Sequence, residues 1–173
     1  MYDLAQAKKL IKDCLETQNP SLNLGNYGIT DLTELPELFE CTHLETLILS
    51  SFWWDGCVFV ESNNKEGRRN HISTIPDGIV RLKKLTKFYF GGVFQDRESK
   101  EIFDISVLSH LTGLQRLDLG SNQLSDISVL SHLTGLQRLG LGSNQLSDIS
   151  VLSHLTGLQS LNLWDNQLSD ISP

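Results

Sequence analysis

Histidine and aspartate return at a fixed interval in the second half of this 173-residue chain. His110, His132 and His154 lie 22 residues apart, as do Asp104, Asp126, Asp148 and Asp170. If the 22-residue units stack as strands, each column repeats every ~5 Å. Two neighbouring imidazoles can share a metal ion, but nothing in the unit supplies a third ligand type or a closed shell. The column reads instead as one surface histidine copied with its unit, and no metal is expected. Each aspartate stands just before Ile-Ser, where a carboxylate can accept from the free N–H groups of a turn. Calcium held by the stacked carboxylates is the alternative. No serine–histidine–acid set, paired carboxylates or phosphate loop can be assembled, so neither an enzyme nor a cofactor is expected.

The chemistry that remains is recognition. Aromatic and arginine side chains are enriched where proteins bind one another. Here they are Trp53, Trp54, Phe59 and Phe94 in two irregular stretches, and Tyr89, Arg116, Arg138 and Trp164 within the repeating part. Copying of a unit is a sufficient explanation for the two arginines.

The elements that position these residues follow from the repeat. Residues 114–135 read LQRLDLGSNQLSDISVLSHLTG, and residues 136–157 differ from them only in having Gly140 where the first has Asp118. A third copy begins at Leu158, and the tail of an earlier one occupies residues 104–113. Within each unit L-x-x-L-x-L-x-x-N-x-L predicts one short parallel strand whose leucines enter a core that no unit buries alone. Asn122, Asn144 and Asn166 fall where the chain leaves the strand, placed to satisfy unpaired backbone groups. Ile127, Leu130 and Leu133, three apart, predict a 3₁₀-like turn on the outer side. Older units are traceable through Leu22, Leu47 and Phe88, with Asn70 in the asparagine position of the second and Tyr27 in that of the first. The fold expected is an α/β solenoid, a leucine-rich-repeat horseshoe of about six units over residues 21–173, the last truncated. Residues 1–20 are expected as an amphipathic capping helix, carrying Leu4, Ala7, Leu10, Ile11, Cys14 and Leu15 at helical spacing.

Insertions interrupt two units, near residues 52–69 and 93–101. Because they leave consecutive units at the same point, both are expected as loops side by side at one rim. The longer is costly apolar surface for a loop, so it either binds a partner or folds down on its own repeats. The outward strand positions, Arg138 among them, are expected to lie open on the concave face, where truncation should cost almost nothing.

The unit N-Q-L-S-D-I-S-x-L-S-H-L-T-G-L-Q-x-L resembles the repeats of bacterial internalins, and equally the repeat domain of bacterial Roco proteins. The match is close over residues 104–173 and looser from residue 22. Internalin resemblance implies a surface adhesin; Roco resemblance implies a sensor arm attached to a GTPase. Both imply protein binding within this chain, and neither implies catalysis.

Composition narrows the partner. A formal net charge of −7 with pI near 5.1 disfavours nucleic acid. No stretch approaches the ~20 apolar residues of a membrane span. Cys14, Cys41 and Cys57 have no CxxC spacing and read as free thiols in a reducing compartment. With charges from the third residue and no apolar run, the N-terminus does not read as a secretory signal, and a cytoplasmic protein is expected. The end at Pro173, inside a unit and next to Leu168 and Ile171, implies a piece of a longer protein or self-association through an uncapped end.

Overall fold

In a computed structural model the chain is described over residues 4–91, 102 and 104–169. Six strands form one parallel sheet: β1 Ser21–Asn23, β2 Thr46–Ile48, β5 Lys87–Tyr89, β6 Arg116–Asp118, β7 Arg138–Gly140 and β8 Ser160–Asn162, neighbours in that order. Two further strands, β3 Phe52–Trp54 and β4 Phe59–Glu61, form a separate antiparallel hairpin.

The leucine spacing sets this arrangement. Leu22, Leu47, Phe88, Leu117, Leu139 and Leu161 occupy one row of the register. The first five are buried, and each leucine contributes about 1.5–3 kcal/mol of burial before entropy is subtracted. In the third unit Phe88 and Phe90 replace leucines, their rings 5.6 Å apart. Opposite the sheet run short 3₁₀ turns, among them Ser106–His110, Ser128–His132 and Ser150–His154. Asp104, Asp126 and Asp148 each accept the backbone N–H of the serine two residues on, at 2.8 Å. These contacts hold the three carboxyls below the usual range, the backbone N–H being the largest cause. The aspartate column therefore caps turns; Asp170 lies outside the described residues.

The asparagines tie each unit to the one before it. Asn144 Nδ2 donates to Leu141 O at 2.9 Å and Leu119 O at 3.0 Å, and its Oδ1 accepts from Leu124 N at 3.0 Å. Asn122 and Asn166 repeat the pattern. Asn70 does the same for the first two units, bonding Leu24 O, Leu49 O and the N–H groups of Tyr27 and Ile29. Entry to this turn forces Ser121, Ser143 and Asp165 into the left-handed region, at φ 54° to 55°.

Helix α1, Leu4–Thr17, presents buried Ala7, Ile11 and Cys14 and closes the N-terminal end of the core. At the other end Leu161 is 40% exposed, against 0% for Leu139.

Candidate binding surface

The longer insertion is a hairpin laid across the sheet's outward face. Aromatic and β-branched residues make Phe52–Trp54 and Phe59–Glu61 good strands, and Asp55-Gly56 supplies the turn. Asp55 N donates to Val58 O at 3.1 Å, while its carboxylate accepts from the N–H groups of Cys57 and Val58. Gly56 sits at φ 110°, a conformation that a side chain would strain.

Alternation divides the hairpin into two faces. Trp53 and Val60 are cross-strand partners that turn inward. Trp53 packs on Ile48 and Tyr89 in a small cluster apart from the main core, its ring 5.4 Å from that of Tyr89. Phe52 and Phe59 are exposed, Phe59 at 62%, and Trp54, opposite Phe59, is half-buried.

From Tyr89 the hairpin crosses β6, β7 and β8 through one polar contact each. Trp54 N–H donates to Asp118 Oδ2 at 2.5 Å. Arg138 Nη1 donates to Asp55 O at 2.6 Å, and Ser160 Oγ donates to Gly56 O at 2.5 Å. Arg138 lies so close under the turn that a β-carbon on Gly56 would strike its Cδ. Arg116, half-buried, lies beside the Tyr89 hydroxyl and within electrostatic reach of Asp55.

Asp118 has been stripped of water. It is 4% exposed and accepts from two backbone N–H groups, those of Trp54 and of Gly120 at 3.0 Å. Burial pushes its carboxyl up to about 6, against the pull of those two donors. Burial likewise raises the Tyr89 hydroxyl, with Arg116 partly offsetting it. At the turn, Asp55 is held low, first by the Val58 N–H, with Arg138 and Arg116 adding to it.

Three expectations change here. The insertion over residues 52–69 does not stand off as a rim loop: its hairpin leaves beside Ser50 and folds down on the repeats, one of the two outcomes expected for it. Trp53 and Tyr89 bury one another, so neither lies open as an anchor. Arg138 is not a free outward side chain, because it holds the turn. Of the other expected contact residues, Phe59 and Trp164 are exposed, Trp54, Arg116 and Arg138 are half-buried, and Phe94 lies outside the described residues. Asp118, Asp55 and Ser160, which hold the arrangement together, were not expected as site residues. The signal for the hairpin was present in Asp55-Gly56 between two short runs rich in aromatic and β-branched residues.

Cys14 and Cys41 are buried free thiols and Cys57 an exposed one. Burial raises Cys14 and, with the neighbouring Cys14 second, pushes Cys41 up to about 12, so both are poor nucleophiles. Among the described residues no group of three His, Cys, Asp or Glu side chains could hold a metal ion. No helix among them is long and apolar enough to cross a membrane. A cleft of about 320 Å³ lies between α1, β1 and residues 62–64, lined by Asp13, Asn19, Tyr27 and Asn64 among others.

A model of leucine-rich repeats (2 copies) matches residues 134–173, and a leucine-rich-repeat model matches residues 102–146. No curated protein matches the sequence. Among solved structures, an internalin (inlF) from Listeria monocytogenes is 32% identical with a TM-score of 0.65, the match covering 92% of this chain. A leucine-rich-repeat protein of Leptospira interrogans is 26% identical with a TM-score of 0.58, covering 86%. The chain spans 38% of the length of each. The ectodomain of the Arabidopsis thaliana receptor kinase GASSHO1/SCHENGEN3, solved in complex with CASPARIAN STRIP INTEGRITY FACTOR 2, is 23% identical with a TM-score of 0.60, over 85% of this chain and 15% of that one. It shares the fold alone. The parallel strands, asparagine ladder and capping helix, with these likenesses, establish that this chain folds as a leucine-rich-repeat solenoid similar to that of a bacterial internalin.

Proposed function

We propose that the chain is a non-catalytic protein-binding module, the sensor or scaffold arm of a larger cytosolic bacterial protein, as its resemblance to Roco repeat domains implies. The observation that carries this reading is the outward face of the hairpin. Phe52, Trp54 and Phe59 form an aromatic surface on a short sheet pinned at Asp118, Arg138 and Ser160. Exposed apolar groups of this kind mark contact sites, and aromatic anchors dominate binding energy. Repeat arrays of this fold bind proteins, and an acidic chain suits a protein partner better than a nucleic acid.

The test is capture from native cell extract by the wild-type chain and a Trp54→Ala/Phe59→Ala variant of matched melting temperature. A protein retained by the first and lost by the second supports the reading. Retention by both moves the site toward Arg116 and Trp164, and capture of nothing specific sinks it.

A second reading, an exported adhesin or effector of the internalin kind, is favoured by the 32% identity to the Listeria protein. Fractionation of the native cells separates the two. Leu161 and Trp164, exposed at β8 and just after it among the described residues, support self-association as a further proposal, tested by sedimentation across a concentration series.

A further inference from the structure

The hairpin and the solenoid are joined unequally. At its base the hairpin is tied to the first unit: Ser62 Oγ donates to Asn23 Oδ1 at 3.0 Å and approaches Gly25 O at 3.1 Å, and Ser62 N donates to Ser51 O at 2.8 Å. Beyond the base, its apolar hold on the sheet is the cluster of Ile48, Trp53 and Tyr89, with Val60 against it. Everything past Tyr89 rests on one polar contact per strand. The arm is thus anchored at residues 51 and 62 and lightly held along its length.

The central contact is of an unusual kind. A carboxylate taken out of water costs free energy unless a cation or several donors replace the solvent. Asp118 receives two backbone N–H groups, and neither Arg138 nor Arg116 is among its hydrogen-bond partners. Arg138 is spent on Asp55 O, and Arg116 lies beside the Tyr89 hydroxyl. The other ionisable neighbour is Tyr89, its register partner on β5. Lifting the arm returns the Asp118 carboxylate to water, so its ionised form favours the open arrangement and its neutral form the closed one.

The strand beside it is cut to match. Gly140 is paired with Asp118 in the register, and a β-carbon on it would strike the Asp118 carboxyl. Gly140 is not at a positive φ, so its backbone does not require glycine. Aspartate occupies the same place in the preceding unit, so the repeat accepts a carboxylate there. What glycine provides at 140 is room for Asp118 to meet the arm.

We propose that the hairpin of residues 51–62 is a proton-responsive latch over the concave face, hinged at Ser51 and Ser62 and caught by Asp118 in the space left by Gly140. Open, it uncovers Tyr89, Asp118, Arg138 and Ser160, a strip that in the closed state binds the Trp54 N–H and the turn carbonyls of Asp55 and Gly56. This device rests on the inward contacts of the hairpin and not on its outward aromatic face. It therefore stands or falls separately from the binding role proposed above.

The test uses the full chain with Trp54→Phe and Trp164→Phe, leaving Trp53 as the one tryptophan, and reads its quenching by acrylamide at pH 5.5 and pH 8. The expected result is several-fold greater access to Trp53 at pH 8. In Asp118→Asn the pH effect should vanish. In Gly140→Asp, Trp53 should be accessible at both pH values. Circular dichroism at 25 °C should show the solenoid intact in every variant. Shielding of Trp53 at both pH values, a pH effect that survives Asp118→Asn, or a shielded Trp53 in Gly140→Asp each overturns the latch. So does loss of the solenoid signal whenever Trp53 becomes accessible, because the hairpin would then open only with the whole fold.

Discussion

A β-carbon on Gly140 would meet the carboxyl group of Asp118, so the single position at which residues 114–135 and 136–157 differ is also a position at which the two units touch. Sheet pairing alone has no use for the difference, since Leu117 and Leu139 are equally buried and their strands pair in the same way. The hairpin does, because Asp118 accepts the Trp54 N–H in the space that Gly140 leaves.

Inward and outward neighbours on β7 should respond differently to truncation, though not as an open concave face would predict. Leu139→Ala removes a fully buried side chain and should cost about 2–5 kcal/mol. Arg138→Ala should cost about 1 kcal/mol, because Asp55 O loses its donor. Urea denaturation of both variants checks this, and equal costs would contradict the assignment of faces.

Stability should fall as pH rises through about 6. The Asp118 carboxyl is raised in the folded chain, so folding takes up a proton between the ordinary carboxylate range and pH 6. The stabilisation of the neutral form is complete below the unfolded value and lost above the folded one. Between pH 5 and pH 7.5 the loss should be on the order of 1–2 kcal/mol. Thermal melts at those two values, repeated with Asp118→Asn, test it; an unchanged slope in the variant assigns the effect elsewhere.

Acid below the ordinary carboxylate range should act in the opposite sense. Asp104, Asp126 and Asp148 are held low by N–H donors, so what they contribute is present above their unfolded pKa and disappears as pH falls through their folded values. Replacing all three with asparagine should flatten the acid limb of a melting curve and leave the limb near pH 6 in place.

The asparagine ladder should be costly to break at its centre. Asn144→Ala leaves Leu124 N–H without its acceptor and removes one of the two asparagine donors to each of Leu119 O and Leu141 O, a loss of about 1–3 kcal/mol. Asn166→Ala, in the half-buried last unit, should cost less. Comparable denaturation midpoints for the two would show that the ladder does not strengthen toward the interior.

One substitution should stabilise. Ser121 holds φ 55°, where a side chain is strained by about 1–2 kcal/mol, while glycine is at ease there but loses more entropy on folding. Ser121→Gly should gain up to about 1 kcal/mol, read as a higher melting temperature; a lower one would mean that the serine hydroxyl matters more than the backbone.

The solenoid was legible because its period repeats one solution. Leu117, Leu119, Asn122 and Ile127 need only the unit and its neighbour to find their places, and both are written in the same 22 residues. The hairpin was only partly legible. Asp55-Gly56 between two short apolar runs signals the turn, but which way the arm folds depends on Tyr89, Asp118, Arg138 and Ser160, all far along the chain. Trp53 and Tyr89 each read as exposed anchors, the first as a large aromatic in an inserted loop and the second as one at an outward strand position. Their burial is mutual, and no window of sequence contains both.

Near-identical units make a chain forgetful of order. An array such as this can gain, lose or exchange a unit by recombination between matching stretches, and the sheet would close over the change. The hairpin would not. If the second of the two units came first, aspartate would stand at 140 and glycine at 118: Trp54 would lose its acceptor and the turn would meet a carboxylate beside Arg138. The arm thus reads out the sequence of units beneath it, and selection for its seat would preserve the number and order of repeats in an array otherwise free to drift.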